Sequence, residues 1–349
     1  MDFKNTLTNW YSNNKRDLPW RNTKNPYYIW LSEIILQQTQ VKQGLPYYNA
    51  FIKQYPTVFD LANASEEEVL KLWQGLGYYS RARNLHTTAK YVAFKLHGKF
   101  PDNYKDLLKL KGVGDYTASA IASIAFNEIA AVVDGNVYRV LSRYFGVETP
   151  INSTNGIKEF KALASSLIDK EQPATFNQAI MEFGATQCKP KNPYCMVCPL
   201  NDSCVALQKN IIDSLPVKLK KTKVKNRFFN FLVCIDKGKN TLLEKRISKG
   251  IWQNLYQFPL IESNKSLSSD EFHLLNIKDS FLHNLKFDYT LYSLEDKVHK
   301  LSHQHLYTKF WIIETEELLK NAISIKDIKR YPVPVLIGDF IDTFNFEEM

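Results

Sequence analysis

Four cysteines, Cys188, Cys195, Cys198 and Cys204, fall within seventeen residues at the spacing C-x6-C-x2-C-x5-C. Thiolates at these intervals can wrap one compact, soft metal centre. Four cysteine ligands suit a [4Fe–4S] cluster. Zinc ribbons more often carry two C-x2-C pairs and this chain has one, so zinc stands as the alternative and a metal-free loop as the third reading. A fifth cysteine, Cys234, lies in the apolar run Phe231–Ile235, which predicts a buried strand position.

A second chemical signal is the run Leu110-Lys-Gly-Val-Gly-Asp-Tyr-Thr117. Gly112 and Gly114 flank Val113 and permit a tight turn between two helices. The amide groups at the start of the second helix can hold a phosphate. Gly112, Val113 and Gly114 therefore read as a helix–hairpin–helix clamp on a nucleic-acid backbone, which positions a duplex without reading its sequence. An ordinary helix–helix turn is the bland alternative.

These signals need a scaffold. The first 208 residues read as mostly helical, with an unbroken segment predicted from Tyr27 to Gln43 and further helices over 65–73, 80–96, 103–109, 115–126, 136–145, 156–169 and 174–185. Residues 214–227 carry Lys218, Lys220, Lys221, Lys223, Lys225 and Arg227 and no acid, the signature of a solvated tether that can also touch phosphates. Beyond it Arg227–Asp236 alternates like a strand. Strands are also predicted over 241–246, 286–291 and 308–314, with helices over 269–275 and 333–344, which makes a smaller α+β region.

The 349 residues suffice for two domains, and 44% apolar with 13% aromatic content can fill their cores. A formal charge of +9 favours a polyanionic partner. Residues 1–20 have no apolar core of signal-peptide length, and no stretch has the roughly 18 apolar residues of a membrane span. The expectation is a cytoplasmic, nucleoid-associated protein.

Taken with Val132-Val-Asp-Gly-Asn136, the hairpin and the cysteine loop resemble the endonuclease III superfamily of DNA glycosylases. Within it the chain is similar to the adenine glycosylases, through Arg16–Arg21, Trp30–Val41, Trp73–Arg83, Asn177–Glu182, Gly250–Trp252 and Phe258-Pro259. The resemblance covers almost the whole chain. It implies an all-α helix–hairpin–helix glycosylase domain with a [4Fe–4S] loop over 1–208, a basic linker over 209–226 and an α+β Nudix-like domain over 227–349. It also implies a monomer acting on double-stranded DNA, and release of adenine paired with 8-oxoguanine or guanine.

Adenine leaves a sugar poorly unless protonated, and the sugar passes through an oxocarbenium-like state. One carboxylic acid and one carboxylate are therefore needed, as in two-carboxylate glycoside hydrolysis. The resemblance places the acid at Glu33 and the carboxylate at Asp134. By residue type alone, Glu33 reads as a solvated glutamate and Asp134 as a helix N-cap. Tyr116 stands where the strand-cleaving relatives carry a lysine that forms a Schiff base. A phenol cannot form an imine, which implies a monofunctional enzyme. The resemblance further implies that Trp20, Arg21 and Gln178 line the pocket of the flipped adenine. Gln38, Thr39, Leu76 and Tyr78 are implied to fill the gap and hold the opposite base.

In the C-terminal region, Leu243–Gly250 holds a single glutamate in place of the acid cluster of Nudix hydrolases, so this region is expected to bind rather than hydrolyse. Leu301-Ser-His303 resembles the family's Phe-Ser-His loop that checks for 8-oxoguanine, through Ser302 and His303, with Leu301 departing from the aromatic. His299, His303 and His305 have no cysteine or acid nearby to complete a metal site.

Overall fold

The structure is a computed structural model that describes residues 2–219, 224–275 and 281–346. The chain forms two compact units. The first comprises Met1–Asn63 and Asn84–Lys220, the second Ala64–Arg83 and Lys221–Met349. The stretch 64–83, which follows helices of the first unit in sequence, thus packs with the second. Of the basic tether, Lys220, Lys221 and Lys223 lie outside the described residues.

The helices up to residue 95 are α1 (Phe3–Asn14), α2 (Pro26–Leu36), α3 (Val41–Gln54), α4 (Val58–Asn63), α5 (Glu66–Leu72) and α6 (Ser80–Lys95). There follow α7 (Tyr104–Leu107), α8 (Asp115–Phe126), α9 (Gly135–Phe145), α10 (Thr154–Leu167), α11 (Pro173–Thr186) and α12 (Val205–Gln208). Among the described residues none is long and apolar enough to cross a membrane.

The predicted single helix from Tyr27 to Gln43 is instead two. α2 stops at Leu36, Gln38 adopts a left-handed φ of 54°, and α3 begins at Val41. The two helices pack closely at the break. A Cβ on Gly44 would come within 2.8 Å of Leu36 Cδ2, so the absence of a side chain there lets α3 pack closely against the end of α2. The hairpin helix α7 is also shorter than predicted. Its last turn tightens into i→i+3 bonds, Lys109 N to Asp106 O and Leu110 N to Leu107 O, before Gly112 turns with φ 80°.

Two devices hold the interior of the first unit. Asn177 of α11 is 1% exposed. Its Nδ2 donates to Ser123 Oγ (2.9 Å) and Ala130 O (2.8 Å), and its Oδ1 accepts from Val132 N (3.2 Å). It fastens α11 to the extended stretch that leads into Asp134. The tether, predicted as free, is docked over its first part: Leu215 is buried, Ile151 N donates to Val217 O (3.0 Å), and Leu219 N donates to Asn152 Oδ1 (2.8 Å).

In the second unit β1 (Lys225–Asp236) pairs with β2 (Asn240–Thr241), which is followed by β3 (Glu244–Lys245), β4 (Tyr256–Gln257) and β5 (Leu260–Ser263). Later come β6 (Asp288–Leu291), β7 (Lys297–Lys300), β8 (Gln304–Thr315), β9 (Ile323–Ser324) and the helix α13 (Val335–Thr343). The main sheet runs β6-β8-β1-β2-β9, with β5 on β1 and β7 on β8, while β3 and β4 pair separately. β1 and β8 are parallel from Lys225↔Gln304 to Asp236↔Thr315.

The alternation read in Arg227–Asp236 gives way to continuous burial from Phe229 to Asp236. A central strand of this kind is covered on both faces. One face packs Leu232 and Cys234 with Trp311, Phe272 and Leu282. On the other side Phe231 stacks on Phe310 (5.3 Å), which stacks on Phe340 of α13 (4.1 Å).

Replacing Asn177 with Ala removes the partner of a buried amide N–H and of a part-buried carbonyl. We expect a loss of about 2–4 kcal/mol in unfolding free energy, read from urea denaturation. A loss below about 0.5 kcal/mol counts against this fastening role.

Candidate active site

The helix α2 explains the central acid. Asn25 caps it by accepting from Tyr27 N (3.0 Å), Pro26 occupies its first position, and Tyr27 and Ile29 to Ile35 are all buried. A helix apolar on nearly every side must go into the interior, and it takes Glu33 with it.

Glu33, Asp134 and Tyr116 line one cavity of about 180 Å³ in the first unit, together with Trp20, Arg21 and Gln178. Burial pushes the Glu33 carboxyl up to about 7, interaction with the Tyr116 hydroxyl opposes the rise, and the nearby Asp134 charge adds to it. The Tyr116 hydroxyl also donates to Met181 Sδ (3.3 Å), and burial holds its phenol protonated well beyond the usual range.

Asp134 is the N-cap of α9. Its Oδ1 accepts from Asn136 N (2.9 Å) and Val137 N (2.8 Å), and its Oδ2 accepts from Asn136 Nδ2 (2.7 Å). Burial raises its pKa, and these three hydrogen bonds to the charged form pull the other way. The sequence reading of a cap therefore holds for Asp134, and the cap also lines the cavity.

A chain of contacts leads onward from the cap. Asn136 Oδ1 accepts from Arg139 Nη2 (2.8 Å), and Arg139 Nε donates to Cys188 O (2.8 Å). Arg143, one turn further along α9, donates to Lys189 O (2.7 Å) and Pro190 O (3.2 Å) and lies 3.6 Å from Cys188 Sγ.

Cys188, Cys195, Cys198 and Cys204 line a second cavity of the first unit, whose lining contains no carboxylate. Burial raises the Cys198 thiol to about 11. Among the described residues, no three His, Cys, Asp or Glu side chains are drawn together closely enough to form a metal-binding group. A soft, all-sulfur donor set around one largely apolar cavity nevertheless fits an iron–sulfur group better than a hard cation.

Sequence reasoning passed over Arg16 and Glu182. Burial alone would raise the Glu182 carboxyl, but hydrogen bonds from Arg16 and Arg21 outweigh it and bring the group down to about 2. Arg16 binds it in a fork, Nε to Oε1 (2.8 Å) and Nη2 to Oε2 (2.6 Å), and Arg21 Nη2 donates to the same Oε2 (2.6 Å). Arg21 therefore lines the cavity with its guanidinium already committed. The available signal was an acid, Glu182, inside the otherwise largely apolar helix α11.

The remaining predicted residues occupy two places. Gln38 is exposed on the turn between α2 and α3, and Thr39 lines the Glu33 cavity. Leu76, Tyr78, Leu301, Ser302 and His303 line a separate cavity of about 570 Å³ in the second unit. Ser302 Oγ and His303 Nδ1 are 3.3 Å apart. The 75–78 turn is held by Trp73 Nε1 donating to Gly77 O (3.0 Å), and it puts Tyr78 half-exposed at φ 48°. Gly112, Val113 and Gly114 form the turn between α7 and α8, where Thr88 Oγ1 donates to Lys111 O (2.8 Å).

The HhH-GPD superfamily of base excision DNA repair proteins matches residues 31–164, and the NUDIX domain matches residues 230–343. An adenine DNA glycosylase of Buchnera aphidicola subsp. Baizongia pistaciae is 38% identical over 314 residues, which span 89% of this chain and 86% of that protein. An adenine DNA glycosylase of Homo sapiens is 46% identical over 216 residues, 59% of this chain and 40% of that protein. Among solved structures, a thermostable thymine-DNA glycosylase is similar with a TM-score of 0.55 at 33% identity, covering 59% of this chain and 95% of that one. Endonuclease III in a non-covalent complex with DNA shares the fold, with a TM-score of 0.52 at 24% identity over 59% of this chain and 94% of that one.

The raised pKa of Glu33 has a thermodynamic signature. The group titrates near 4.5 when solvated and at about 7 when folded, so its contribution to stability is full below pH 4.5 and is lost as pH rises through 7. In Glu33→Gln this loss is absent. Between about pH 4.5 and 7.5 the variant should gain up to about 3 kcal/mol relative to the native chain. Urea titrations at the two pH values measure this, and parallel behaviour of the two proteins would exclude a strongly raised Glu33.

Proposed function

Because the chain belongs to the adenine DNA glycosylase family of base excision repair enzymes, we propose that its substrate is duplex DNA in which adenine is paired with 8-oxoguanine or guanine. The observation that carries the chemical part of this reading is the shared cavity of Glu33 and Asp134, with Glu33 poised to hold a proton near neutrality.

Glu33, as the neutral acid, gives its proton to a ring nitrogen of the flipped adenine as the bond from C1′ to N9 breaks. Asp134, ionised, faces the cationic sugar that results. Water adds to C1′ and passes its surplus proton to a carboxylate, which leaves an abasic sugar. Tyr116 stands where an amine would be needed for strand cleavage, and its buried phenol offers none. Trp20 and Gln178 border the space for the base, and Arg16, Arg21 and Glu182 form a fixed ionic wall beside it.

The division of labour follows the order of the chain: a glycosylase domain over 1–208, a linker over 209–226 and a Nudix-like reader over 227–349, working as a monomer. Gly112, Val113 and Gly114 grip the DNA backbone. Gln38, Thr39, Leu76, Tyr78, Ser302 and His303 serve the opposite base. Cys188, Cys195, Cys198 and Cys204 would hold a [4Fe–4S] cluster, which when bound braces the loop and supplies no bond chemistry. The backbone contact from Arg139 to Cys188 supports a link between that brace and the Asp134 cap.

Single-turnover incubation of a labelled duplex with one adenine opposite 8-oxoguanine tests this reading. Strand breaks should appear mainly after hot alkali, and an alkali-independent break trapped by borohydride would return a lyase. Glu33→Gln should lower the rate by about 10²–10⁴-fold while duplex binding survives. The native rate should fall as pH rises above about 7, as Glu33 loses its proton. Ser302→Ala with His303→Ala should cost roughly fivefold per lost hydrogen bond in preference for 8-oxoguanine over guanine. Equal losses on both pairs would remove these residues from lesion reading.

A further inference from the structure

Gln178 borders the Glu33 cavity with an amide whose two ends do opposite things. One end accepts hydrogen bonds and the other donates them, so which end faces a bound base decides which base atoms it tolerates. The structure fixes that choice from outside the cavity. Tyr11 of α1 is 4% exposed, and its hydroxyl donates to Gln178 Oε1 at 2.8 Å. Among the described residues the phenol has no other hydrogen-bond partner. Turning the amide over would leave a buried phenol proton without an acceptor, which is the costly arrangement. Burial also raises the Tyr11 pKa, so the group stays a donor. The ring is held in place by Arg21, whose guanidinium lies 5.5 Å from its centroid, and by Lys15 at 5.7 Å.

The neighbouring polar groups are already engaged. Arg16 and Arg21 are bound to Glu182, and Asn136 Nδ2 donates to Asp134. The amide nitrogen of Gln178 is thereby a neutral donor open to a ligand in this cavity, as is the indole N–H of Trp20 in the same lining. We propose that Tyr11 is a positioning residue that makes Gln178 a donor-only reader, so that the pocket selects a base offering a ring-nitrogen acceptor at that point. This rests on reading the cavity as the adenine pocket. Adenine presents N1, N3 and N7 as acceptors, whereas guanine carries a proton on N1.

The test uses the full chain and duplexes bearing adenine or its 1-deaza, 3-deaza or 7-deaza analogue opposite 8-oxoguanine, each on a 2′-fluoro sugar that resists cleavage. In the native protein, one of the three deletions should weaken binding by about fivefold beyond the other two as the matched acceptor is lost. In Tyr11→Phe, which keeps the ring and its cation contacts, that extra penalty should fall below about twofold as the amide turns freely. A merely structural Tyr11 would lower the melting temperature and leave the analogue profile unchanged, and that result overturns the proposal.

Gln178→Glu gives an independent check. It still accepts from Tyr11 but turns an acceptor to the cavity, so the extra penalty should vanish. Adding Tyr11→Phe should then change nothing further, because Tyr11 acts through residue 178. Additive losses would overturn the proposal as well. Release of adenine from the unmodified mispair by the native chain is scored separately, so failure of the pocket reading is distinguishable from failure of Tyr11.

Discussion

A carboxyl group withdrawn from water governs the first unit. α2 can deliver Glu33 to the interior only because its other side chains are apolar enough to make burial of the whole helix favourable. The helix therefore has two roles that cannot be separated, as core element and as carrier of an acid. The cost of an ionised carboxylate in that setting is what keeps the proton on Glu33. The rest of the cavity is arranged around this cost. Asp134 obtains three hydrogen bonds from a helix start, and Glu182 obtains two arginines. Three acids border one cavity and meet three different environments, and Glu33 and Glu182 are pushed in opposite directions on the acid scale.

The N-cap of α9 is the point at which fold and site meet. A capping aspartate is an ordinary way to satisfy amide groups at a helix start. Here the residue two positions on, Asn136, donates to the same carboxylate and accepts from Arg139, which in turn reaches the backbone of Cys188. A disturbance in the cysteine loop therefore has a short, bonded route to the orientation of Asp134.

Much of the scaffold was legible because its punctuation is local. α8 spans 115–126 as predicted, with Gly114 before it and the left-handed Asn127 after it. Cys234 is fully buried in β1, as its apolar neighbours suggested. The break between α2 and α3 was not legible, because Gln37 to Gln40 contain no glycine or proline. It is accompanied by close packing of Gly44, further along, against Leu36. Glu33 and Asp134 were singled out by resemblance rather than by composition, since each has a common structural reading. The Arg16–Glu182 pair escaped notice because its members are 166 positions apart and either would pass for a surface charge.

The second unit is assembled from two pieces of the chain. Glu67 meets Lys245 and Tyr256, Glu66 meets Asn254, and Tyr79 donates to the carbonyl of Val333. On a ribosome, 64–83 emerges long before these partners exist. The segment must wait while the intervening helices are made, with Glu66, Glu67 and Tyr79 temporarily without these partners. A protease cut in the basic tether would likewise not yield two self-sufficient halves, because each product would lack part of what the second unit needs. Evolutionary exchange of the C-terminal region as a cassette is constrained in the same way: a replacement must fit a strip of sequence that lies in the other half of the chain.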